Sequence, residues 1–440
     1  MAKKTLLRAR WVVPVEPAGA LLEDHAVALL DGRIEALLPA EEARVRFSTY
    51  EQVLLKNHVL IPGLVNAHTH AAMSLMRGLA DDLPLMRWLQ EHIWPAEQKH
   101  VSPKFVRDGT LLACAEMLRG GITCFSDMYF FPEAALEAAL ACGMRSVHGL
   151  IVFDFPSAYA SDPADYLRKG LALRDRYREE PLASFTLAPH APYTVSDATF
   201  RQVAALAAEL DLPVHMHVHE TAAEIARSLA EHGVRPLERL GRLGLLGPNL
   251  IAVHAVHLSA GETEALARHR SSVVHCPSSN LKLASGFAPV DSLLKQGINV
   301  ALGTDGAASN NRLDLFQEMR TAALLAKAVS GDAEALPAHA ALRAATLSGA
   351  QALGLDARVG SIVPGKLADL VAVDLSAPEL APCFDPVSHL VYAAGREHVS
   401  HVWVDGKRVL DGGKLQNEAF SALDTRGELW QNALKSRADS

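Results

Sequence analysis

Two histidines separated by one residue, His68 and His70, follow an apolar run at residues 59–61 that predicts a β-strand. On an extended strand alternate residues face the same side, so both imidazoles can bind one metal ion. Imidazole is a common ligand of zinc and iron. Alone, such a pair is more often structural. Here a metal site is favoured, because further predicted strand ends that carry His, Glu and Asp follow along the chain.

The segment 213–220, Pro-Val-His-Met-His-Val-His-Glu, predicts another strand with three histidines of one parity. Periodicity alone does not say which of them binds a metal. Glu220 has the opposite parity and must act from just past the strand. We expect His217 as the ligand, because a carboxylate three residues later can reach a metal-bound water without joining the coordination shell. His215 is then expected to pack in the protein interior. His219 is expected either to support a metal ligand from behind or to be a packing residue.

Two later strand ends carry the remaining candidates. His254 directly follows the apolar run 250–253, whereas His257 is expected to begin the loop. Asp305 follows the strand predicted at residues 299–302. An Asp before Gly is commonly a turn residue, but here the carboxylate stands where a last metal ligand is expected.

Together these strand ends predict a site for one divalent metal ion, whose identity they leave open among zinc, iron and manganese. Its ligands are His68, His70, His217 and Asp305. This set leaves a position for water, whose pKa a bound metal lowers toward neutrality. Asp305 can take the water proton while His254 orients or shares it, and Glu220 can carry a proton to the substrate. No lysine obviously ends the fourth strand, so a carbamylated lysine bridging two metals is not expected.

The elements around these residues alternate between apolar strands and helical patterns. Eight such units over roughly 290 residues predict a (β/α)₈ TIM barrel with its site at the carboxyl ends of the strands. The alternative is an open doubly wound sheet, but in this sequence no Gly-rich phosphate loop follows the first predicted strand. The segments before and after these units have sequence patterns typical of β-hairpins. The predicted units are a composite β-sandwich domain from residues 1–60 plus 358–420, the barrel at 61–357, and a C-terminal helix or tail at 421–440.

Composition narrows the possible partners. The 440 residues are 49% apolar and 21% charged, with a net charge of −8, as in ordinary soluble globular proteins. The only short basic run is at the start, Met-Ala-Lys-Lys, so nucleic acid and membrane partners are not expected. Five cysteines without a C-x-x-C pair indicate free thiols in a reducing compartment. With no predicted signal peptide or spanning segment, we expect a cytoplasmic protein.

Several of these motifs resemble the mononuclear branch of the amidohydrolase superfamily, and within it the 5-methylthioadenosine/S-adenosylhomocysteine deaminases. The resemblance extends from the amino-terminal β segment through residues 364–370. Guanine and 8-oxoguanine deaminases and triazine hydrolases share much of the same frame. The matching motifs are residues 62–70, the pair His217 and Glu220, residues 254–258, residues 279–283 and residues 303–311.

The resemblance implies zinc on the four ligands and hydrolytic deamination of an adenosine thioether. 5′-Methylthioadenosine would give 5′-methylthioinosine and ammonia, and S-adenosylhomocysteine or adenosine are further candidate substrates. Glu220 would protonate the purine ring as hydroxide attacks C6. Asp305 and His254 would shuttle protons to the departing ammonia.

The resemblance also implies three substrate contacts. Glu97 falls where the family holds the ribose diol with a carboxylate, although on its own it would read as a solvated helix residue. His190 resembles the family's donor to a purine ring nitrogen. His148 aligns with a position where some relatives carry arginine, and the loop at residues 153–160 is aromatic and apolar. These departures predict that methylthioadenosine is preferred to S-adenosylhomocysteine.

Two rival functions follow from the same residues. The first is a guanine, 8-oxoguanine or triazine aminohydrolase on this scaffold, for which Glu97 would have no ribose to hold. The second is a metal-binding scaffold without catalysis, which the full set of ligand and proton-transfer candidates disfavours. The expected partner is a small purine nucleoside. Barrels of this kind often pair, so a homo-oligomer, either a dimer or a tetramer, is expected.

Overall fold

The computed structural model describes residues 3–435 and forms two eight-stranded sheets. Residues 1–2 of the basic start and residues 436–440 of the predicted tail lie outside the described range. The strands are β1 (Lys4–Val12), β2 (Leu22–Leu30), β3 (Arg33–Pro39), β4 (Glu51–Pro62), β5 (Leu64–Thr69), β6 (Ile122–Asp127), β7 (Arg145–Val152), β8 (Ala183–Pro189), β9 (Val214–Val218), β10 (Leu250–His254), β11 (Ser272–His275), β12 (Asn299–Leu302), β13 (Leu370–Asp374), β14 (Val399–Val404), β15 (Lys407–Asp411) and β16 (Lys414–Leu415).

Helices fill most of the connections between strands. The α-helices are α1 (Ala40–Arg46), α2 (Leu85–Trp88), α3 (Trp94–His100), α4 (Pro103–Arg119), α5 (Pro132–Cys142), α6 (Pro163–Tyr177), α7 (Asp197–Leu210), α8 (Ala222–His232), α9 (Pro236–Arg242), α10 (Ala260–His269), α11 (Pro277–Lys282), α12 (Val290–Lys295), α13 (Ala307–Asn310), α14 (Leu315–Ser330), α15 (Ala338–Ala344), α16 (Leu347–Ala352), α17 (Pro386–Tyr392) and α18 (Leu423–Lys435). A π-helical turn, Leu89–Ile93, joins α2 to α3. Short 3₁₀ turns occur at Ala71–Met76, Pro378–Leu380, Arg396–His398 and Glu418–Phe420. Within residues 3–435, no helix is long and apolar enough to cross a membrane.

Strands β5 to β12 follow one another in chain order in a single parallel sheet, with helices between them. Hydrogen bonds between β5 and the segment that follows β12 bring the two ends of this sheet together. The Asn66 amide donates to Thr304 Oγ1 at 2.8 Å and accepts from the Thr304 N–H at 2.9 Å. The Asp305 N–H donates to the His68 carbonyl at 3.1 Å. The nearly closed sheet confirms the predicted TIM barrel and places β5 next to the strand end that carries Asp305.

The second sheet is built from both ends of the chain, in the order β16-β15-β14-β13-β4-β1-β2-β3. This confirms the predicted separate β structure from the two termini, whereas the exact domain limits stay a prediction. Strand β4 leads directly into the barrel through Gly63. A Cβ atom at this position would lie 2.0 Å from Thr123 Oγ1, so only glycine allows the chain to pass this close to the barrel wall.

A buried ion pair joins the barrel to the terminal sheet. Arg145, at the start of β7, donates to both Asp369 carboxylate oxygens, at 2.9 Å and 3.1 Å. The side chains are 2% and 1% exposed. Arg145 also donates to the Pro181 carbonyl at 3.0 Å, and Asp369 accepts the Asp405 N–H at 2.8 Å. Both charges are therefore fully partnered, and removing either one would leave the other buried and unpaired.

We expect the Arg145→Ala substitution to destabilise the protein by about 3–5 kcal/mol, because Asp369 would keep a buried charge without its partner. Arg176→Ala is the control, since it removes the exposed pair with Glu133 and is expected to cost less than about 1 kcal/mol. Urea unfolding of both variants, followed by circular dichroism, measures the difference. Equal shifts of the two unfolding midpoints would contradict the structural role of the buried pair.

Candidate active site

A cavity of about 870 Å³ opens at the carboxyl ends of the barrel strands. Aromatic and aliphatic side chains form most of its wall. They include Trp88, Ile93, Trp94, Phe130, Phe153 and Phe155. Groups suited to chemistry also line it: His70, Glu97, His190, His217, Glu220, His254, Asp305 and Ser309. Among the described residues, neither arginine nor lysine lines this cavity. The cavity therefore combines several titratable groups with an apolar wall that carries neither arginine nor lysine.

The four predicted metal ligands lie close together, and all except the fully buried His68 line the cavity. His68 lies on β5 and His70 directly follows it, His217 lies on β9, and Asp305 follows β12. Asp305 Oδ1 lies 3.4 Å from His68 Nε2 and 3.2 Å from His70 Nε2. His217 Nε2 lies 3.2 Å from His68 Nε2. The candidate ligand atoms thus form two groups that share His68, one with His70 and Asp305 and the other with His217 and His254.

In two of the candidate ligand histidines, the second ring nitrogen, Nδ1, is hydrogen-bonded to a main-chain carbonyl. His70 Nδ1 lies 2.5 Å from the Met128 carbonyl, and His217 Nδ1 lies 2.8 Å from the His190 carbonyl. A carbonyl oxygen only accepts, so each Nδ1 must carry the hydrogen and each Nε2 of the neutral ring must carry the lone pair. Nδ1–H groups held in this way orient metal-binding imidazoles in proteins. The donor set therefore fits a divalent metal such as zinc.

The structure separates the three histidines that share a parity on β9. His217 presents Nε2 to the cavity, whereas His215 is fully buried below it. His215 Nε2 lies 3.0 Å from His68 Nδ1, and its Nδ1 lies 3.3 Å from Ser126 Oγ. It therefore supports the ring of His68 from within the barrel. This placement agrees with the prediction for His215 and His217, which strand periodicity alone did not distinguish.

His219 lies beyond the end of β9, where the chain has turned. Its φ of +57° is in the left-handed region, so its side chain no longer follows the strand alternation. The ring accepts the Leu237 N–H at Nε2, at 3.0 Å, and donates from Nδ1 to the His257 carbonyl at 3.1 Å. Both nitrogens are engaged by the main chain, so His219 holds neighbouring loops together.

Two serines fix the Asp305 carboxylate. Its Oδ2 accepts from Ser279 Oγ at 2.6 Å and from Ser309 Oγ at 2.7 Å, while Oδ1 accepts the Gly306 N–H at 2.8 Å. Sequence reasoning assigned no role to either serine, although both lie in motifs that it singled out. Their proximity to Asp305 depends on how the short helices α11 and α13 pack, which no periodicity reveals.

Glu220 and His254 face each other across the same end of the barrel, with Glu220 Oε2 3.9 Å from His254 Nε2. Burial raises the pKa of Glu220, and this outweighs the opposing effect of His254. His254 Nδ1 donates to Asn280 Oδ1 at 2.8 Å, which leaves Nε2 for the cavity. A carboxyl that holds its proton more readily than usual is suited to proton transfer near neutral pH.

Glu97 reaches the cavity from α3, just after the π-helical turn. Tyr129, which follows β6, donates its hydroxyl hydrogen to Glu97 Oε1 at 2.7 Å. Burial raises the pKa of Glu97 to about 7 despite this hydrogen bond. Glu97 thus lies in the cavity wall rather than on a solvated helix face, as the family resemblance predicted. Tyr129 was missed, although its place just beyond a strand end was a usable signal.

His190 also lines the cavity, directly after β8. Its ring stacks on Phe153 with 4.7 Å between ring centroids, and its Nδ1 lies 3.1 Å from Thr194 Oγ1. Burial lowers the pKa of His190 to about 3, so the imidazole is neutral at physiological pH. A neutral imidazole that is stacked on Phe153 and hydrogen-bonded to Thr194 is suited to positioning a ligand.

The structure corrects the prediction for His148. On β7, Ile151 faces the cavity, and strand alternation therefore turns His148 to the outer side of the barrel wall. There it is fully buried between Phe125 and Phe185, with its Nε2 2.8 Å from Ser146 Oγ. His148 thus packs within the barrel wall and does not line the cavity.

The amidohydrolase family model matches residues 59–409. The chain belongs to the amidohydrolase family. Over 435 residues it is 49% identical to a protein of Saccharophagus degradans named 5-methylthioadenosine/S-adenosylhomocysteine deaminase, covering 99% of this chain and 98% of that one. A protein of the same name from Thermodesulfovibrio yellowstonii is 41% identical, with 94% and 95% of the two chains covered. Membership of this family confirms the predicted hydrolase class.

Solved structures are similar over the whole chain. A zinc-bound adenosine deaminase from Xanthomonas campestris superposes with a TM-score of 0.97 at 52% identity, covering 99% of both chains. An atrazine chlorohydrolase from Arthrobacter aurescens, also with zinc, gives a TM-score of 0.90 at 23% identity over 97% of this chain and 99% of that one. The second similarity concerns the fold alone. Together with the ligand geometry, the first supports a single zinc ion as the cofactor.

We expect the purified protein to contain about one zinc ion per chain and His217→Gln to lose most of it. The matched control is His148→Gln, another buried histidine on a barrel strand but with its ring outside the cavity. Inductively coupled plasma mass spectrometry after dialysis measures the zinc content. Full zinc occupancy in His217→Gln, or its loss in His148→Gln, would contradict the ligand assignment.

Proposed function

We propose that this protein is a zinc-dependent hydrolase that deaminates adenine nucleosides bearing a 5′-thioether. With water, 5′-methylthioadenosine would give 5′-methylthioinosine and ammonia. The observation that carries this proposal is the placement of Glu220, His254 and Glu97 around one cavity with the candidate zinc ligands. The names of the related deaminases agree with it.

The chain's own groups suit this reaction. A bound zinc ion would supply a water molecule of lowered pKa. Glu220, whose pKa burial raises, can deliver a proton to a ring nitrogen of the purine. Since Nδ1 of His254 is used on Asn280, only its Nε2 remains to accept a proton and pass it to the leaving ammonia. Asp305 shares that task beside the histidine ligands.

The remaining wall suits the sugar and its substituent. The Glu97 carboxylate can accept hydrogen bonds from both hydroxyls of a ribose. The apolar wall at Phe153 and Phe155 can pack against a methylthio group, and no side-chain cation of the described residues stands there for a charged amino-acid tail. His190 can hold the purine ring. These features favour a short neutral 5′-substituent over that of S-adenosylhomocysteine.

Guanine, 8-oxoguanine and triazine hydrolysis are the alternatives on this scaffold. Each would use the same metal ligands, but none of these substrates carries a ribose. Glu97, held by Tyr129 in the cavity wall, would then have no partner on the substrate. The cytoplasmic location and the homo-oligomer expected from the sequence stay predictions.

We expect the zinc-loaded protein to release ammonia from methylthioadenosine with a higher kcat/KM than from S-adenosylhomocysteine, and to be inactive on guanine and 8-oxoguanine. Glu220→Gln should lower kcat about 100- to 10,000-fold, because the amide cannot carry a proton to the ring. A coupled ammonia assay on the substrates side by side, with adenosine included, measures this.

Equal kcat/KM for the two thioethers would contradict the preference for a short neutral tail. Activity on the free bases alone would contradict the nucleoside assignment while leaving the metal site intact.

We expect KM for methylthioadenosine to fall as the pH rises through about 7, because Glu97 then ionises and can accept from both ribose hydroxyls. The 2′,3′-dideoxy analogue lacks these hydroxyls, so its KM should stay flat over the same range. Glu97→Gln should remove the pH dependence for the ribonucleoside. Steady-state kinetics with both substrates measures this, and parallel curves for the two would contradict the ribose contact.

A further inference from the structure

We propose that Glu224, on α8, is a positioning residue that holds the main chain of His219 and Glu220 and thereby aims Glu220 into the cavity. This proposal rests on the proposed function, because it assumes that Glu220 carries the proton. It is drawn from the hydrogen bonds around the end of β9, which the sequence did not predict.

The chain leaves the barrel sheet abruptly at this point. Strand β9 ends at Val218, and His219 has a left-handed backbone with φ of +57°. Residues other than glycine rarely adopt this conformation without support from their surroundings. One side of the turn is anchored by the His219 carbonyl, which accepts the N–H groups of Val256 and His257, each at 3.0 Å. These two residues belong to the loop after His254.

The other side of the turn is anchored by Glu224. Its Oε1 accepts the His219 N–H at 2.9 Å, and its Oε2 accepts the Glu220 N–H at 2.8 Å. Each carboxylate oxygen serves one N–H, and hydrogen bonds to an ionised acceptor are stronger than neutral ones. The side chain is buried, with the residue 6% exposed. Both N–H groups of the turn are therefore fixed by a single buried carboxylate.

The position of Glu224 on its helix makes this anchor rigid. Thr221 caps α8, with its hydroxyl oxygen accepting the Glu224 N–H at 3.2 Å. A glutamate at this third helical position ordinarily bonds the N–H of its own capping residue. Glu262 on α10 does so, accepting the Ser259 N–H at 2.8 Å. Glu224 instead reaches the two residues before its cap, and one of these is Glu220.

The consequence is specific to Glu220. Its side chain lies 3.9 Å from His254, and its main chain is held on one side by Glu224 while the preceding carbonyl is held by the loop after His254. Loss of either anchor lets the turn relax and moves the carboxyl away from the reacting atoms. Misplacement of a reacting group by about 1 Å can cost about 100-fold in rate.

The test is a double-mutant cycle with Glu224→Gln and Glu220→Gln, assayed for ammonia release from methylthioadenosine above pH 7. Burial raises the pKa of Glu224 to about 7, so the residue is ionised under these conditions. Glutamine keeps the shape but replaces one acceptor oxygen with an amide group that cannot accept. We expect Glu224→Gln to lower kcat about 10- to 100-fold per bound zinc, with KM unchanged.

In the Glu220→Gln background, Glu224→Gln should lower the residual rate no further, because Glu224 acts through Glu220. A merely structural residue would lower both rates by the same factor. Asp162→Ala is the control: it removes the side-chain cap of α6, which accepts the Asp165 N–H at 3.0 Å, and should lower the melting temperature without changing kcat. If Glu224→Gln fails to fold, Glu224→Asp, which keeps the charge on a shorter side chain, should give the same pattern.

Equal losses in the two backgrounds, or a kcat of Glu224→Gln equal to that of the unmodified protein, would overturn the positioning role alone. Full activity of Glu220→Gln would overturn the proposed function and this inference with it. The single variants therefore distinguish the two failures.

Discussion

Each of the three histidines proposed as metal ligands has its ring Nδ1 hydrogen-bonded to another group of the barrel. For His70 and His217 that group is a main-chain carbonyl, and for His68 it is the buried ring of His215. This leaves Nε2 of His68 and His70 3.4 Å and 3.2 Å from Asp305 Oδ1, and Nε2 of His217 3.2 Å from that of His68. The arrangement is possible because parallel strands end at the same edge of the barrel, so residues far apart in sequence meet there.

The loops beyond the strand ends add the remaining chemistry. The connections after the strands carry Glu220, Glu97 and His190, which line the cavity and are hydrogen-bonded to Glu224, Tyr129 and Thr194, respectively. The apolar wall excludes water from the reacting groups and strengthens the electrostatic interactions among them. In the proposed account, the strand ends hold the metal ligands and the connections after them supply the contacts to the substrate.

Strand periodicity was enough to predict the barrel, the pair His68 and His70, and the order of the later strand ends. It could not choose among the three histidines near β9, because their separation depends on depth in the barrel and on the left-handed turn at His219. The family resemblance suggested a substrate contact for His148, but this residue is fully buried and does not line the cavity. Contacts such as Ser279 with Asp305 depend on helix packing, which no local pattern encodes.

The most direct test of this account is anomalous diffraction at the zinc edge from crystals grown with 5′-methylthioinosine. The account predicts one zinc peak bounded by His68, His70, His217 and Asp305, with the purine ring against Glu220 and the ribose hydroxyls on Glu97. A zinc ion outside these four ligands, or a nucleoside bound with its ribose away from Glu97, would contradict it.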